Sequence, residues 1–179
     1  MTSISGTPSE GTSPVDVAFA RLPAIPISDI RALLNEPRNG RHMPLARDFS
    51  AAETAAWVLG KDRQWEEHGY GPWAVLIGGV FAGWGGFEAE ADSADFALVL
   101  FPAYWGYGAR VTIAALDEGF CSLGIETVTI ALPLTRNPAK AVSRYGFEPD
   151  GSVTHGQAVF RRFRLTRERW ARAHKFNTM

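Results

Sequence analysis

The sequence predicts a single α/β or α+β domain, and three observations lead there. Three strand signals follow one another between Trp73 and Phe101 with only short turns between them, the pattern of an antiparallel meander. Ala109, Ile113, Leu116, Phe120 and Leu123 then recur at spacings of four, three, four and three, the stripe of an amphipathic helix. After that helix Thr127 to Leu132 returns to a period of two, with Val128, Ile130 and Leu132 alternating against Thr127, Thr129 and Ala131.

The chain has 179 residues, 46% of them hydrophobic, enough for one well-buried domain. Residues 1–14 are rich in Ser, Thr, Gly and Pro and read as a disordered tail ahead of a domain at 15–175. Val15 to Leu22 has strand character. Ser28 is placed to cap a short helix carrying Ile30, Leu33 and Leu34, which Pro37 stops, and 37–47 reads as loop. Ser50-Ala-Ala-Glu53 is a capping box opening a helix that runs past Trp57 toward Trp65 and ends before the turn at 68–72.

Strands then run from Trp73 to Ile77, from Val80 to Phe87 after the Gly78-Gly79 turn, and from Asp95 to Phe101 after an acidic turn. Gly124 closes the amphipathic helix, in which Gly119 costs about 1 kcal/mol relative to Ala. Pro133 ends the next strand, and Asn137-Pro138 gives a helix cap followed by proline at the first helical position, with the helix reaching Tyr145. Two further strands near 147–153 and 158–165 precede a polar C-terminal helix.

Charge and cysteine content exclude several function classes. Lys plus Arg number 18 and Asp plus Glu 19, so no overall basic field gathers nucleic acid or an anionic membrane. No apolar run approaches the roughly 20 residues that span a bilayer. The single cysteine, Cys121, excludes an internal disulfide and a Cys-based metal site, reads as a small packing residue, and fits a cytoplasmic location. No metal is expected.

Between strand and amphipathic helix stands Trp105-Gly106-Tyr107-Gly108-Ala109-Arg110. A glycine turn that opens a helix exposes unpaired N–H groups where the helix dipole also favours negative charge, which makes a phosphate cradle. Glycine at 106 and 108 permits unusual backbone angles and lets phosphate oxygens approach without a Cβ between, and Arg110 could add a charged contact. The chain contains no G-x-x-x-x-G-K-[ST] string, and Val111 replaces the third glycine of a dinucleotide fingerprint.

The segment resembles the acyl-CoA signature of the GNAT acetyltransferase superfamily, [QR]-x-x-G-x-[GA], with Gly106 and Gly108 at its small positions and Ala103 where Gln or Arg is usual. LFPAYWGYGA, with GYGPWAV, GWGGF, RNPAKAVSRYGFEPDG and FRLTRERW, is most similar to the branch containing ribosomal-protein N-terminal acetyltransferases, over roughly residues 40 to 171. The resemblance implies a mixed, mostly antiparallel sheet splayed beside the strand ending at Phe101. It also implies acetyl-CoA as acyl donor, with backbone groups of Val99, Leu100 and Phe101 pairing with the pantetheine arm. The amides of Gly106, Tyr107, Gly108, Ala109 and Arg110 would then hold the pyrophosphate, and Asn137 would face the acyl-CoA arm. Capping alone accounts for Asn137 equally well.

Acyl transfer to an amine needs a base, a donor for the carbonyl oxygen, and optionally an acid for the thiolate. Deprotonating a lysine-like amine at neutral pH costs about 4 to 5 kcal/mol, against about 1 for an α-amine. Glu88, Glu90, Asp92 and Asp95 cluster at one turn. Glu88, just after GWGGF, is the one expected to point into a cleft, while an acidic solvated turn accounts for the whole group. Val142 occupies the family's tyrosine position, which leaves Tyr145 as the candidate acid, with a buried aromatic as its other reading. Trp84 and Phe87 are expected to line the acceptor pocket, with His42 and Met43 as further candidates. The acceptor is a small-molecule amine or a protein N-terminus, and the protein a monomer or homodimer. The absence of the tyrosine and of an evident base also fits an inactive acyl-CoA-binding regulator.

Overall fold

A computed structural model describes residues 15–40 and 48–174. In chain order the elements are β1 (Val17–Arg21), α1 (Ile27–Leu34), α2 (Pro37–Gly40), α3 (Ala51–His68), β2 (Pro72–Ile77), β3 (Val80–Ala89), β4 (Ala94–Leu100), α4 (Gly108–Asp117), β5 (Thr127–Pro133), α5 (Ala139–Tyr145), β6 (Glu148–His155), β7 (Ala158–Thr166) and α6 (Arg167–His174). One seven-stranded sheet runs β1-β2-β3-β4-β5-β7-β6. Every neighbouring pair is antiparallel except β4 and β5.

Local signals explain most of these boundaries. Ser50 caps α3 by accepting from the Glu53 amide at 3.2 Å, while Glu53 accepts from the Ser50 amide at 2.9 Å, so the capping box is complete. Gly124 ends the α4 segment with φ 72°, in the left-handed region. Two expectations differ. Pro26, not Ser28, precedes α1, and the Ser28 hydroxyl bonds Asp29 instead, because Pro26 already fixes the entry angle. Pro37 stops α1 yet opens one further helical turn, as proline at a first helical position does.

Helices cover both faces of the sheet. Leu22, Ile30, Leu33, Val58, Ala74 and Trp84 form a buried cluster under α1 and α3. On the opposite face Phe87, Phe96, Leu116, Phe120, Val128 and Leu165 pack under α4, joined by Trp170 of α6, whose indole donates to Asp117 at 2.8 Å. Strand alternation sends Trp84, Glu88, Asp95, Ala97 and Val99 toward α3, and Phe87, Phe96, Leu98 and Leu100 toward α4.

Close contact demands glycine at several positions, two of which bear most on the packing around the site. A Cβ on Gly83 would lie 2.1 Å from the Val99 carbonyl oxygen, so β3 and β4 approach as only glycine allows. A Cβ on Gly119 would lie 2.6 Å from the Phe87 ring, itself fully buried. Gly119 sits in the wide turn Glu118–Ser122 that continues α4, and this contact explains a residue that helix propensity alone disfavours. Cys121, in the same turn, is exposed rather than packed, because the wide turn rotates it off the apolar stripe.

Gly119→Ala should therefore destabilise the fold by about 1 to 3 kcal/mol through overpacking, although the same change in an open helix stabilises by about 1 kcal/mol. Urea unfolding of the two proteins measures the sign.

Candidate active site

β4 and β5 pair at only two positions, Ala94 with Val128 and Asp95 with Thr129. Beyond them β4 continues to Leu100 and β5 to Pro133 without pairing, so the sheet opens like a V from Asp95. A cleft of about 360 Å³ occupies this opening, lined by Asn39, Leu98, Leu100, Trp105, Gly108 and Arg136 among others. Its mouth is formed by the short helical turn Pro102–Tyr107 and the start of α4.

Register decides which backbone groups face the opening. The Phe101 amide donates to the Ala82 carbonyl at 2.9 Å, on the β3 side. Because an antiparallel pair alternates bonded and non-bonded residues, Phe101 and Val99 direct their backbone groups to β3, whereas Leu98 and Leu100 direct theirs into the gap. Val99 lines the cleft, but by register its backbone groups and those of Phe101 are committed to β3, and Leu98 stands beside Leu100 on the gap side, which only knowledge of the register finds. The Leu100 carbonyl already accepts from the Trp105 indole at 3.1 Å.

The glycine turn stands at the mouth with its surface open. Nothing lies within 4 Å of a Cβ built on Gly106 or Gly108, and neither has a positive φ; Gly108 is helical at φ −51°. Unusual backbone angles are therefore not why glycine stands there. The packing of the chain itself needs glycine at neither position. Ala109 and Arg110 continue the first turn of α4. The Arg110 guanidinium donates to the Val15 carbonyl at 2.8 Å and lies over the Tyr107 ring, so its side chain is committed to the segment just ahead of β1.

The remaining expected residues separate. Trp84 lies on the α3 face beside Trp57, its indole nitrogen buried without a hydrogen-bond partner. Phe87, three residues on, faces the other way and is fully buried against α4, so it belongs to the core and not to an acceptor pocket. Tyr145 is half-buried and packs on the same core. Asn137 is exposed, and its side-chain oxygen accepts from the Ala139 amide at 2.9 Å, which is the capping geometry. His42 and Met43 lie outside the described residues.

Glu88 is not a free carboxylate. Lys61 of α3 ion-pairs with one of its oxygens, and Gln64 lies 3.5 Å from the other. Directly across the strands is Asp95, half-buried at the apex of the V. Burial, then the negative charges of Glu90 and Glu88, push its carboxyl up to about 7, against the opposing pull of Arg162 and Lys61. Glu90 is held by Arg162 at 2.9 Å and by the Ser93 and Thr129 hydroxyls. The group the acidic turn contributes with a perturbed proton is therefore Asp95.

An acetyltransferase (GNAT) domain family model matches residues 22–148. It identifies the domain family and no branch within it. Among curated proteins nothing matches significantly. The chain is similar to an aminoglycoside acetyltransferase solved in complex with coenzyme A, with TM-score 0.70 and 14% identity over 89% of this chain and 99% of that one. An acetyltransferase from Agrobacterium tumefaciens gives TM-score 0.65 and 16% identity over 90% and 99%. A GNAT-family acetyltransferase from Bacillus anthracis gives 0.64 and 14% over 79% and 89%. At these identities the solved structures speak to the fold alone.

Because the folded pKa of Asp95 lies above the ordinary 3.8, the folded chain keeps a proton that the unfolded chain has released between about pH 4 and 7. Its contribution to stability falls as pH rises through that window. Asp95→Asn should remove the loss, so its melting temperature should gain on the parent from pH 4 to 8; parallel curves would mean an ordinary carboxylate.

Proposed function

The chain belongs to the GNAT acetyltransferase domain family, and from that premise we propose that it transfers an acetyl group from acetyl-CoA to an amine by direct attack within a ternary complex. The observation that carries this reading is the V between β4 and β5 with an open glycine turn at its mouth. The residues fit the donor substrate. A pantetheine arm needs backbone partners in an apolar slot, and Leu98 and Leu100 turn theirs into the gap. A pyrophosphate needs backbone N–H groups that it can approach closely, and we assign that role to the turn 106–110, which Gly106 and Gly108 leave open and where the Gly108 N–H also bonds the Trp105 carbonyl. Arg136 adds positive charge along the cleft.

In this reading the amine reaches Asp95 from the α3 face of the sheet. Asp95 acts as base. A carboxyl near 7 is matched to removing a proton at neutral pH, where an ordinary carboxylate is too weak and a stronger base would itself be protonated. One ammonium proton passes to the Asp95 carboxylate, the nitrogen lone pair forms the C–N bond, and the C–S bond breaks with its electron pair leaving on sulfur, which takes up the second proton that the attacking nitrogen sheds. N–H groups on the gap side of β4 stabilise the carbonyl oxygen as it gains charge. Glu88, tied to Lys61, and Tyr145, packed on the core, take no direct part. A weakly basic amine, an α-amino group of a peptide or a small molecule, asks least of such a base.

Thermal melts with acetyl-CoA and free CoA test the donor site. A ligand at 100 times its dissociation constant adds about 2.7 kcal/mol. Gly106→Leu and Gly108→Leu should leave the ligand-free melting temperature within a degree or two, since no protein atom opposes the new side chains, yet abolish that shift. No shift in the parent protein, or an undiminished shift in both variants, contradicts the proposal.

A further inference from the structure

Trp57, Lys61 and Gln64 lie at spacings of four and three along α3, so they share the helix face that looks down on β3 and β4. The Lys61 ammonium sits 5.7 Å from the Trp57 ring centre and 5.5 Å from that of Trp84. Between them the two indoles hold the cation against their faces and limit the side chain to 20% exposure. The same ammonium pairs with Glu88, whose second oxygen has Gln64 as its neighbour. Both oxygens of Glu88 are thus engaged from α3.

Glu88 is also the direct cross-strand partner of Asp95, with both side chains on the α3 face. Residues opposite one another at a bonded antiparallel position have Cβ atoms about 5 Å apart, and like charges there repel. We propose that Lys61 is a positioning residue of the acyl-transfer site, which, clamped between Trp57 and Trp84, holds Glu88 beside Asp95 and sets the pH at which Asp95 gives up its proton. The charges facing Asp95 are Glu88 and Glu90 from β3 and the turn after it, Lys61 from α3, and Arg162 from β7. Arg162 is shared among Glu90, Asp92 and Asp150, so its position is fixed by three carboxylates. Lys61 pulls on Asp95 directly and also fixes Glu88, which pushes the other way, so the Lys61–Glu88 pair is an adjustable part of the field. Its functional meaning rests on the reading of Asp95 as base; the coupling itself belongs to the free protein.

The geometry makes the two partners act with opposite sign. Removing the cation leaves Glu88 uncompensated and should make Asp95 hold its proton to higher pH. Removing the Glu88 charge takes away a repulsion and releases Lys61 toward Asp95, so the proton should leave at lower pH. Unit charges at these separations shift a neighbour by about one pH unit in each direction. A residue that merely supported the fold would not produce opposed shifts.

The experiment is a pH titration of side-chain carboxyl 13C resonances in the full chain, with the Asp95 signal assigned by its absence from Asp95→Asn. Lys61→Met should raise the Asp95 midpoint by about one unit, Glu88→Gln should lower it by about one, and Lys61→Arg should hold it within a few tenths. The double variant should return close to the parent value. Midpoints that stay put, or that move the same way in both single variants, overturn the proposal. Should Lys61→Met not fold, Glu88→Gln alone decides, and an unshifted or raised midpoint overturns it. Acyl transfer to a screened amine by Asp95→Asn separates the two readings: undiminished transfer alongside opposed shifts rejects Asp95 as base and keeps the coupling, whereas lost transfer with unmoved midpoints does the reverse.

Discussion

The two-residue pairing of β4 with β5 is the constraint on which the rest of the molecule turns. A parallel pair that continued past Asp95 would bond the gap-side groups of β4 to β5 and leave no slot. Here β5 is instead held by β7 along its full length, from Thr127 to Pro133, while β4 is held by β3 from Ala94 to Leu100. Each strand has one committed edge, and the two halves of the sheet twist apart between them. The backbone polar groups this leaves facing the cleft are costly unless water or a ligand pairs with them, which is why the proposed donor site is placed there. One of them, the Leu100 carbonyl, is met from within by Trp105.

The divergence also sets the electrostatics. At its apex Asp95 loses water on the side where the strands close, and two glutamates from the end of β3 press on it. Lys61, Arg162 and the hydroxyls of Ser93 and Thr129 balance those glutamates without approaching Asp95 closely enough to ionise it fully at neutral pH. The result is one carboxyl with a divided proton in a face whose other charges are paired, which is the environment that general-base chemistry at neutral pH requires.

The architecture was largely legible in the sequence because its signals are local. The capping box at Ser50, the Gly78-Gly79 turn, the stripe from Ala109 to Leu123 and the alternation from Thr127 each depend on neighbours a few residues away. The glycine turn between β4 and α4 stood out for the same reason. What escaped depends on register or on partners far along the chain. From Phe96 to Phe101 both faces are covered and the residues are all apolar, so no alternation reveals which backbone edge is free, and Leu98 went unseen behind Val99 and Phe101. Phe87 was grouped with Trp84 although their separation of three sends them to opposite faces. Arg110 finds Val15 some ninety positions away, and Lys61 finds Glu88 across 27; spacing cannot announce either. Gly119 looked like a flaw in its helix until the ring of Phe87 was seen against it.

The account stands or falls on the V being where the acyl donor lies. Amide chemical-shift mapping with free CoA on the 15N-labelled chain is the most direct measurement. The account predicts the largest changes at the amides of Leu98, Leu100 and 106–110, with Val99 and Phe101 moving less because their N–H groups stay bonded to β3. Changes concentrated at Val99 and Phe101, or away from β4 and the start of α4 altogether, would contradict it.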